Sequence, residues 1–197
     1  MSAPTANPPL ELIREDGPRP GIDSAVLGTV LFCVVEAMLF AGLISAHTIA
    51  RSNAIEWPPP GQPRLPIDST LLNTAALLLS GAVLFYASRV FHRNRRDALR
   101  PMALAIVLGG FFVGFQGYEW LGLLREGLTL TSSQHGSFFY LIIGMHAVHA
   151  MAAITALVWA WSRLLDLRLT AGAFGGTAVF WYFVVCVWPI LYWRLYL

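Results

Sequence analysis

Five long apolar stretches, separated by short polar segments, dominate the chain. They cover residues 25–46, 70–88, 102–124, 136–162 and 169–193. Each is about as long as a helix must be to cross the ~30 Å hydrocarbon core of a bilayer, which takes roughly 20 residues. The pattern predicts an all-α polytopic membrane protein, a bundle of five transmembrane helices at about 25–48, 69–91, 101–124, 136–162 and 170–195.

Two regions follow from this pattern. Residues 1–24 are rich in proline and charge, which is typical of a disordered arm. Glu11, Glu15 and Asp16 stand where a signal peptide needs basic residues, so we expect the first apolar stretch to be a retained helix. Residues 25–197 then form one five-helix transmembrane domain.

Charge predicts the orientation. Charged residues are only 12% of the chain, against about 25% in soluble domains, and the five apolar stretches leave almost no chain for a soluble domain. The 13 basic residues are all arginine, and nine of them lie in the N-terminal arm and in the second and fourth loops. The positive-inside rule places these segments, and the N-terminus, in the cytoplasm and the C-terminus on the outer side of the membrane. Topology thus explains the arginine-rich second loop without nucleic-acid binding.

Glu36 is the acidic side chain with the most unfavourable predicted position. It is the sole acidic or basic residue of 25–46, about 17 Å from the inner edge by helical rise. A charge at that depth costs roughly 2.5–3.5 kcal/mol or more. His146 and His149, one helical turn apart on the fourth helix, lie at a similar depth. A hydrogen bond between the glutamate and a histidine would reduce the cost for both if the two helices are neighbours.

Two interpretations of these residues remain open: a polar clamp between helices, or part of a proton path. A metal or haem site is disfavoured, because His47, His92 and His135 lie at helix ends or in loops and are too shallow to add ligands. Cys33 and Cys186 form no closely spaced pair and indicate packing positions.

Other polar and small residues predict helix contacts. Glu119, about 27 Å along the third helix, is expected near the outer interface, paired with Arg125 or with loop groups. Gln116 and Asn73 are expected to form interhelical hydrogen bonds. The pair Gly110 and Gly114, and the pair Gly172 and Gly176, have the spacing of small residues at close helix contacts.

Five segments in chain order resemble a known family. They are Phe32 to Gly42 around Glu36, Trp57-Pro58-Pro59, Leu72-Asn73-Thr74-Ala75 with Ser80-Gly81, Gln116-Gly117-Tyr118-Glu119-Trp120, and Gly144-Met145-His146-Ala147-Val148-His149. Each segment alone is weak, but the ordered set is similar to subunit III of the haem-copper terminal oxidases, in the short five-helix bacterial form. The tryptophan and prolines of the first loop are similar to the cytochrome c oxidase branch.

The resemblance implies a non-catalytic subunit of the complex that passes electrons from cytochrome c to oxygen in aerobic respiration. It implies that haem and copper reside in partner subunits, that subunit I is the main contact and subunit II a second partner, and that phospholipids are held in a cleft. It implies roles in stability, lipid retention and proton uptake. The site residues expected for the intramembrane polar cluster or lipid cleft are Glu36, Asn73, Gln116, Glu119, His146 and His149.

The last helix departs from the family pattern. Tyr182 and Val185 stand where the family usually has a histidine and an aspartate, so no role of those two residues is transferred. The departure is compatible with a divergent branch, such as an oxidase within a larger respiratory supercomplex. Alternatives are the homologous subunit of a quinol oxidase or nitric oxide reductase and, in a different class, a proton channel or transporter using Glu36 and Glu119. A free-standing haem enzyme is the least favoured alternative.

Overall fold

The computed structural model describes residues 23–60, 63, 65 and 67–196. This part of the chain contains five helices, each long and apolar enough to cross a membrane, in agreement with the predicted all-α bundle. They are α1 (Ser24–Ser52), α2 (Ile67–Phe91), α3 (Leu99–Arg125), α4 (Gln134–Leu165) and α5 (Ala171–Tyr196). The predicted N-terminal arm lies, apart from its last two residues, outside the described residues.

Polar side chains mark where two of the helices begin. The Asp23 carboxylate accepts a hydrogen bond of 3.0 Å from the backbone N–H of Ala25, and Ser133 accepts one of 3.0 Å from Gly136. These caps satisfy backbone donors that lack a partner in the first helical turn. Helices α1 and α4 thereby begin next to the polar segments that precede them.

Helix α5 holds the bundle together, with contacts to α1, α2 and α4. Its Trp181 and Trp188 are fully buried. The indole N–H of Trp181 donates to the Ser80 hydroxyl at 3.1 Å, and that of Trp188 donates to the Thr74 hydroxyl at 2.8 Å. Hydrocarbon offers no water to satisfy such donors, so these bonds fix α5 against α2.

Helix α1 lies at the periphery, packed on α5 and, over a smaller area, on α4. Of its side chains, only Cys33, Phe40 and His47 are buried, one every seven residues. The remaining surface of α1 is largely apolar and exposed, with Leu31 at 60%, Val35 at 63% and Met38 at 71% exposure. This face is available to lipid or to another protein.

The predicted close approach at Gly172 and Gly176 is confirmed. A Cβ at Gly172 would collide with the Asp23 carboxylate, and one at Gly176 would lie 3.1 Å from the Thr29 hydroxyl. The absence of side chains at these positions lets the first turns of α5 pack directly on the start of α1.

The prediction for Gly110 and Gly114 was wrong. A Cβ at either position would have no heavy atom within 4 Å, so both face outward from the bundle. The close contact belongs instead to Gly109, where a Cβ would lie 2.6 Å from the Trp181 ring. One residue along a helix turns the side-chain direction by about 100°, so the sequence spacing identified the wrong face.

The loops at the arginine-rich end of the bundle contact each other. The Arg95 guanidinium donates to the carbonyl of Leu169 at 2.9 Å, and it lies 5.3 Å from the centre of the Phe91 ring. One arginine therefore joins the loop after α2 to the loop after α4. This contact places the two loops on one side, as the charge pattern requires.

We expect Gly109→Ala to lower stability by about 1–3 kcal/mol, because the new methyl group overpacks against the Trp181 ring. Gly110→Ala is the matched control: the neighbouring position is open, and alanine favours a helix over glycine by about 1 kcal/mol. Thermal unfolding of both variants in the same detergent measures the difference. Equal unfolding temperatures would contradict the assigned α3–α5 contact.

Candidate functional site

Glu36 and His149 meet where α1 crosses α4. The carboxyl Oε2 of Glu36 lies 3.0 Å from Nε2 of His149, at side-chain exposures of 18% and 9%. The other ring nitrogen, Nδ1, lies 2.7 Å from the backbone carbonyl of Met145, one turn earlier on α4. The two side chains whose depths were predicted to match are therefore in direct contact.

These contacts determine how protons are distributed in the pair. A carbonyl oxygen only accepts, so Nδ1 of His149 carries a hydrogen and donates it to Met145. Nε2 then either accepts from a protonated Glu36 or, in an imidazolium, donates to the Glu36 carboxylate. Both forms have no net charge. The pair therefore avoids the cost of an isolated charge in hydrocarbon, whichever group holds the proton.

Aromatic rings enclose this pair. Phe40, one turn after Glu36, lies edge-on to His149 with ring centres 5.4 Å apart, and Phe183 of α5 lies 6.2 Å from the same histidine. Since these rings carry no hydrogen-bonding side-chain atoms, Glu36 and His149 are the polar partners of one another. The pair is thus a local polar contact within an apolar helix interface.

His146 does not join the hydrogen bond. It is 1% exposed, and neither of its ring nitrogens has a hydrogen-bond partner. Its ring packs at 5.1 Å on Trp188 and lines an apolar cavity of about 150 Å³ between α3, α4 and α5. His146 therefore occupies the expected depth, but its ring packs among Phe40 of α1, Phe112 of α3 and Trp188 of α5 without a hydrogen bond to Glu36.

A second polar group lies between α2 and α3. The Glu119 carboxylate accepts hydrogen bonds from the hydroxyls of Ser69 and Thr70, the latter at 3.0 Å. The expected pairing of Glu119 with Arg125 or a loop was wrong, because the first turn of α2 packs against the last turns of α3 and brings hydroxyl donors to the carboxylate.

Asn73 and Gln116 continue this second group toward the bundle interior. The Asn73 amide donates to the backbone carbonyl of Phe112 at 3.1 Å and to the Gln116 side-chain carbonyl at 3.4 Å. Gln116 in turn donates to the Tyr196 hydroxyl at 3.3 Å, which also hydrogen-bonds Thr70. The network links α2, α3 and α5, as expected of interhelical hydrogen bonds.

Five of the six predicted site residues therefore form two separate groups, and the sixth, His146, has no hydrogen bond. Glu36 and His149 form one contact, Asn73, Gln116 and Glu119 belong to a network that the sequence did not link, and His146 stands between them. Thr70 and Tyr196 were not among the predicted site residues. Thr70 begins the second apolar stretch and Tyr196 lies just beyond the fifth, positions at which side chains with a hydroxyl group are ordinary.

The structure gives the positions of the histidine and cysteine side chains considered as metal ligands. Both nitrogens of His149 are already engaged, and no group of three or more His, Cys, Asp or Glu side chains converges within the described part of the chain. Cys33 is buried and Cys186 is exposed, and both are free. The packing role predicted for the cysteines therefore fits Cys33, whereas Cys186 points away from the bundle.

The two departures in α5 have clear positions. Val185 is buried and would lie 3.0 Å from a Cβ at Gly81, so it packs on α2. The hydroxyl of Tyr182 is buried and has no hydrogen-bond partner. At the two departures from the family pattern, α5 therefore has a tyrosine whose hydroxyl is unpaired and a valine in apolar contact with α2.

Helix length, the apolar outer surface and the interhelical hydrogen bonds of the described residues define the class: a polytopic all-α membrane protein. Comparison with known sequences gives the family. The family model described as cytochrome c oxidase subunit III matches residues 20–197. The chain belongs to the cytochrome c oxidase subunit III family, and its homologues place it in the haem-copper oxidases of respiration.

Relatives from bacteria and fungi share this assignment. The chain is 33% identical to cytochrome c oxidase subunit 3 of Corynebacterium diphtheriae, over 86% of each protein. It is 31% identical to a probable cytochrome c oxidase subunit 3 of Nocardia farcinica, again over 86% of each. It is 34% identical to the subunit 3 of Pyricularia grisea, over 86% of this chain and 66% of that protein. The chain therefore spans about two thirds of the fungal relative.

We expect Glu36→Leu to lower stability by about 1–3 kcal/mol, since it leaves Nε2 of His149 buried without a partner. Glu36→Gln keeps a hydrogen-bonding group and should cost under about 1 kcal/mol. The double variant Glu36→Leu/His149→Leu should cost less than the sum of its single changes, because it removes both polar partners.

Met38→Leu on the exposed face of α1 is the control for these variants. Detergent unfolding curves of the natural chain, Glu36→Leu, His149→Leu and the double variant give the coupling between positions 36 and 149, with Glu36→Gln and Met38→Leu measured beside them. Additive single and double changes would contradict the hydrogen bond.

Proposed function

We propose that this chain acts as a non-catalytic subunit III of a cytochrome c-oxidising haem-copper oxidase, in the inner membrane of a bacterium. Its partners in this proposal are subunit I, as the main contact, and subunit II, which hold the haem and copper. The N-terminus lies in the cytoplasm and the C-terminus in the periplasm. The arginine distribution supports this orientation, and the contact of Arg95 with Leu169 supports the pairing of the two arginine-rich loops.

The observation that carries the non-catalytic role is the closed geometry of the Glu36–His149 pair. Both ring nitrogens of His149 and Oε2 of Glu36 are used within the helix pair, by each other and by the Met145 carbonyl. Such a pair suits a polar clamp that fixes α1 on α4. A group that binds a substrate or a redox centre needs atoms left open for it.

The proposal extends to lipid retention and proton uptake by the neighbouring catalytic subunit. The broad apolar face of α1 offers a surface on which acyl chains can lie, since only three of its side chains are buried. Glu36 lies on the same helix, and 18% of its side chain is exposed. This carboxyl group is therefore next to lipid or to a partner subunit as well as to His149.

Affinity purification of the tagged chain from its own membranes in a mild detergent tests the function. We expect haem-containing and copper-containing subunits to co-purify in fixed ratio, with the optical spectrum of a haem-copper oxidase and with bound phospholipid. Glu36→Gln should keep this composition, whereas Glu36→Leu should reduce the bound lipid or the rate of proton uptake severalfold. Purification of the chain alone, with proton conduction in liposomes, would overturn the proposal in favour of a channel.

A further inference from the structure

The cavity of about 150 Å³ between α3, α4 and α5 has the size and lining of a small binding site. We call it the His146 cavity, after the histidine in its wall. The wall is largely aromatic and aliphatic, with Phe112 and Trp188 among its residues. Among the described residues that line it, none is an aspartate, glutamate, lysine or arginine. An apolar cavity of about this volume accepts one benzene-sized ring.

Two polar side chains in the wall of the His146 cavity have no hydrogen-bond partner within the part of the chain that the structure describes. His146 is 1% exposed, and both of its ring nitrogens are unpaired. The indole N–H of Trp120 is also buried and unpaired. Gln116 lines the cavity too, but its amide is engaged by Asn73 and Tyr196. Since an unpaired buried polar group is costly, the histidine and the tryptophan indicate a ligand that supplies their partners.

The chemistry of these two side chains determines what the ligand must carry. An indole N–H only donates, and a neutral imidazole has one N–H donor and one acceptor nitrogen. The two N–H groups therefore need oxygen acceptors, and the remaining imidazole nitrogen suits a hydroxyl group. Since a charged ligand would find no group of opposite charge among the described wall residues, the ligand is expected to be neutral. A ring that carries carbonyl or hydroxyl oxygens, as in a quinone, a quinol or a phenol, meets these requirements.

Water alone matches this cavity poorly. A cavity of about 150 Å³ holds several waters, and each buried water needs about two to four polar partners. Trp120 and His146 are too few to satisfy them against an otherwise aromatic and aliphatic wall. Aromatic rings also surround the histidine, whose ring centre lies 5.1 Å from that of Trp188 and 6.2 Å from that of Phe112. Such a wall favours a flat ring with few polar atoms.

The His146 cavity opens on the outer surface of the bundle. Gly117 of α3 and Met151 of α4 line it, and both residues are exposed. A Cβ at Gly117 would have no heavy atom within 4 Å, so the missing side chain leaves the entrance clear. Because α3 and α4 are apolar helices of membrane-spanning length, this entrance faces hydrocarbon. Isoprenoid quinones dissolve in that phase, since their tails are apolar.

We propose that the His146 cavity binds the head ring of a membrane quinone. The ring oxygens accept hydrogen bonds from Trp120 and His146, and the tail leaves through the entrance beside Gly117. The proposal concerns binding alone and includes no electron transfer. Every group belongs to this chain, so the proposal does not depend on the assembly of an oxidase. A soluble phenol has the same ring and oxygen chemistry, and the experiment therefore separates the two sources.

Binding of radiolabelled decylubiquinone, a short-tailed benzoquinone, to the full chain in lipid nanodiscs tests the cavity, with binding to empty nanodiscs subtracted. We expect saturable binding to the natural chain. The double variant Trp120→Phe/His146→Phe keeps aromatic rings but removes both donors, so it should bind about tenfold more weakly. The infrared carbonyl band of the bound quinone should lie at a lower frequency than that of the free quinone. This shift should disappear in the double variant, which a purely structural role of the two side chains would not cause.

Gly117→Leu and Gly114→Leu form a matched pair for the entrance. Both glycines lie on α3 and both would give a Cβ no neighbour within 4 Å, but of the two it is Gly117 that lines the cavity. Gly117→Leu should remove saturable binding, whereas Gly114→Leu should leave it unchanged, and thermal unfolding shows that both variants are folded. An equal loss in the two leucine variants would overturn the proposal. Undiminished binding in both Gly117→Leu and the double phenylalanine variant would also overturn it.

Two further arms identify the source of the ring. Phenol should displace the quinone only when it is in large excess, because it lacks the apolar tail. Displacement by phenol at equal concentration would assign the cavity to a soluble phenol. Organic extraction of the chain, purified in its complex from its own membranes, should yield quinone from the natural chain and from Gly114→Leu, and less from Gly117→Leu. Extracts without quinone, or a phospholipid lost in Gly117→Leu in its place, would overturn the proposal.

Discussion

A carboxyl group halfway across a bilayer has to find its partner inside the protein, and Glu36 finds it on His149. The pair is neutral in either protonation form, since Nδ1 of His149 is held by the Met145 carbonyl and Nε2 shares one proton with the glutamate. The pairing removes the largest electrostatic cost in the membrane interior and anchors the peripheral α1 on α4. The remaining polar groups are arranged under the same constraint, because hydrocarbon supplies no alternative partner.

The same constraint explains the central role of α5. Its two buried tryptophans each carry a donor that must be satisfied, and hydroxyl groups on α2 satisfy them. The large rings then require space, which Gly109 supplies on α3. At the other end of α5, Gly172 and Gly176 supply space for α1. Bulky side chains on one helix and missing side chains on its neighbours thus determine how closely the helices approach.

These features fit a subunit that acts through its outer surfaces. The family match places the chain among subunits of a respiratory oxidase, and the interior of the bundle is occupied by interhelical hydrogen bonds. The exposed apolar face of α1 and the arginines at the helix ends face outward from the bundle, whereas the interior hydrogen bonds stabilise the helix arrangement.

The sequence alone determined the number of helices and their approximate limits, because the length of an apolar stretch is set by membrane thickness. It also determined that Glu36 and His149 share a depth, since helical rise is constant along a span. Five short segments indicated the family through their resemblance to it. Depth and composition are properties of single helices, so they can be predicted from the sequence without knowledge of how the helices pack.

Tertiary structure decided which side chains meet. Helical rotation turned His146 away from the partner of His149 and made Gly109, not Gly110, the contact for Trp181. The packing of α2 on α3 gave Glu119 two hydroxyl donors in place of Arg125. It also brought Arg51 and Arg194, far apart in the chain, into one pocket. Which side chains meet depends on the rotation of each helix and on its neighbours. Side-chain packing determines both, whereas the length of an apolar stretch determines neither.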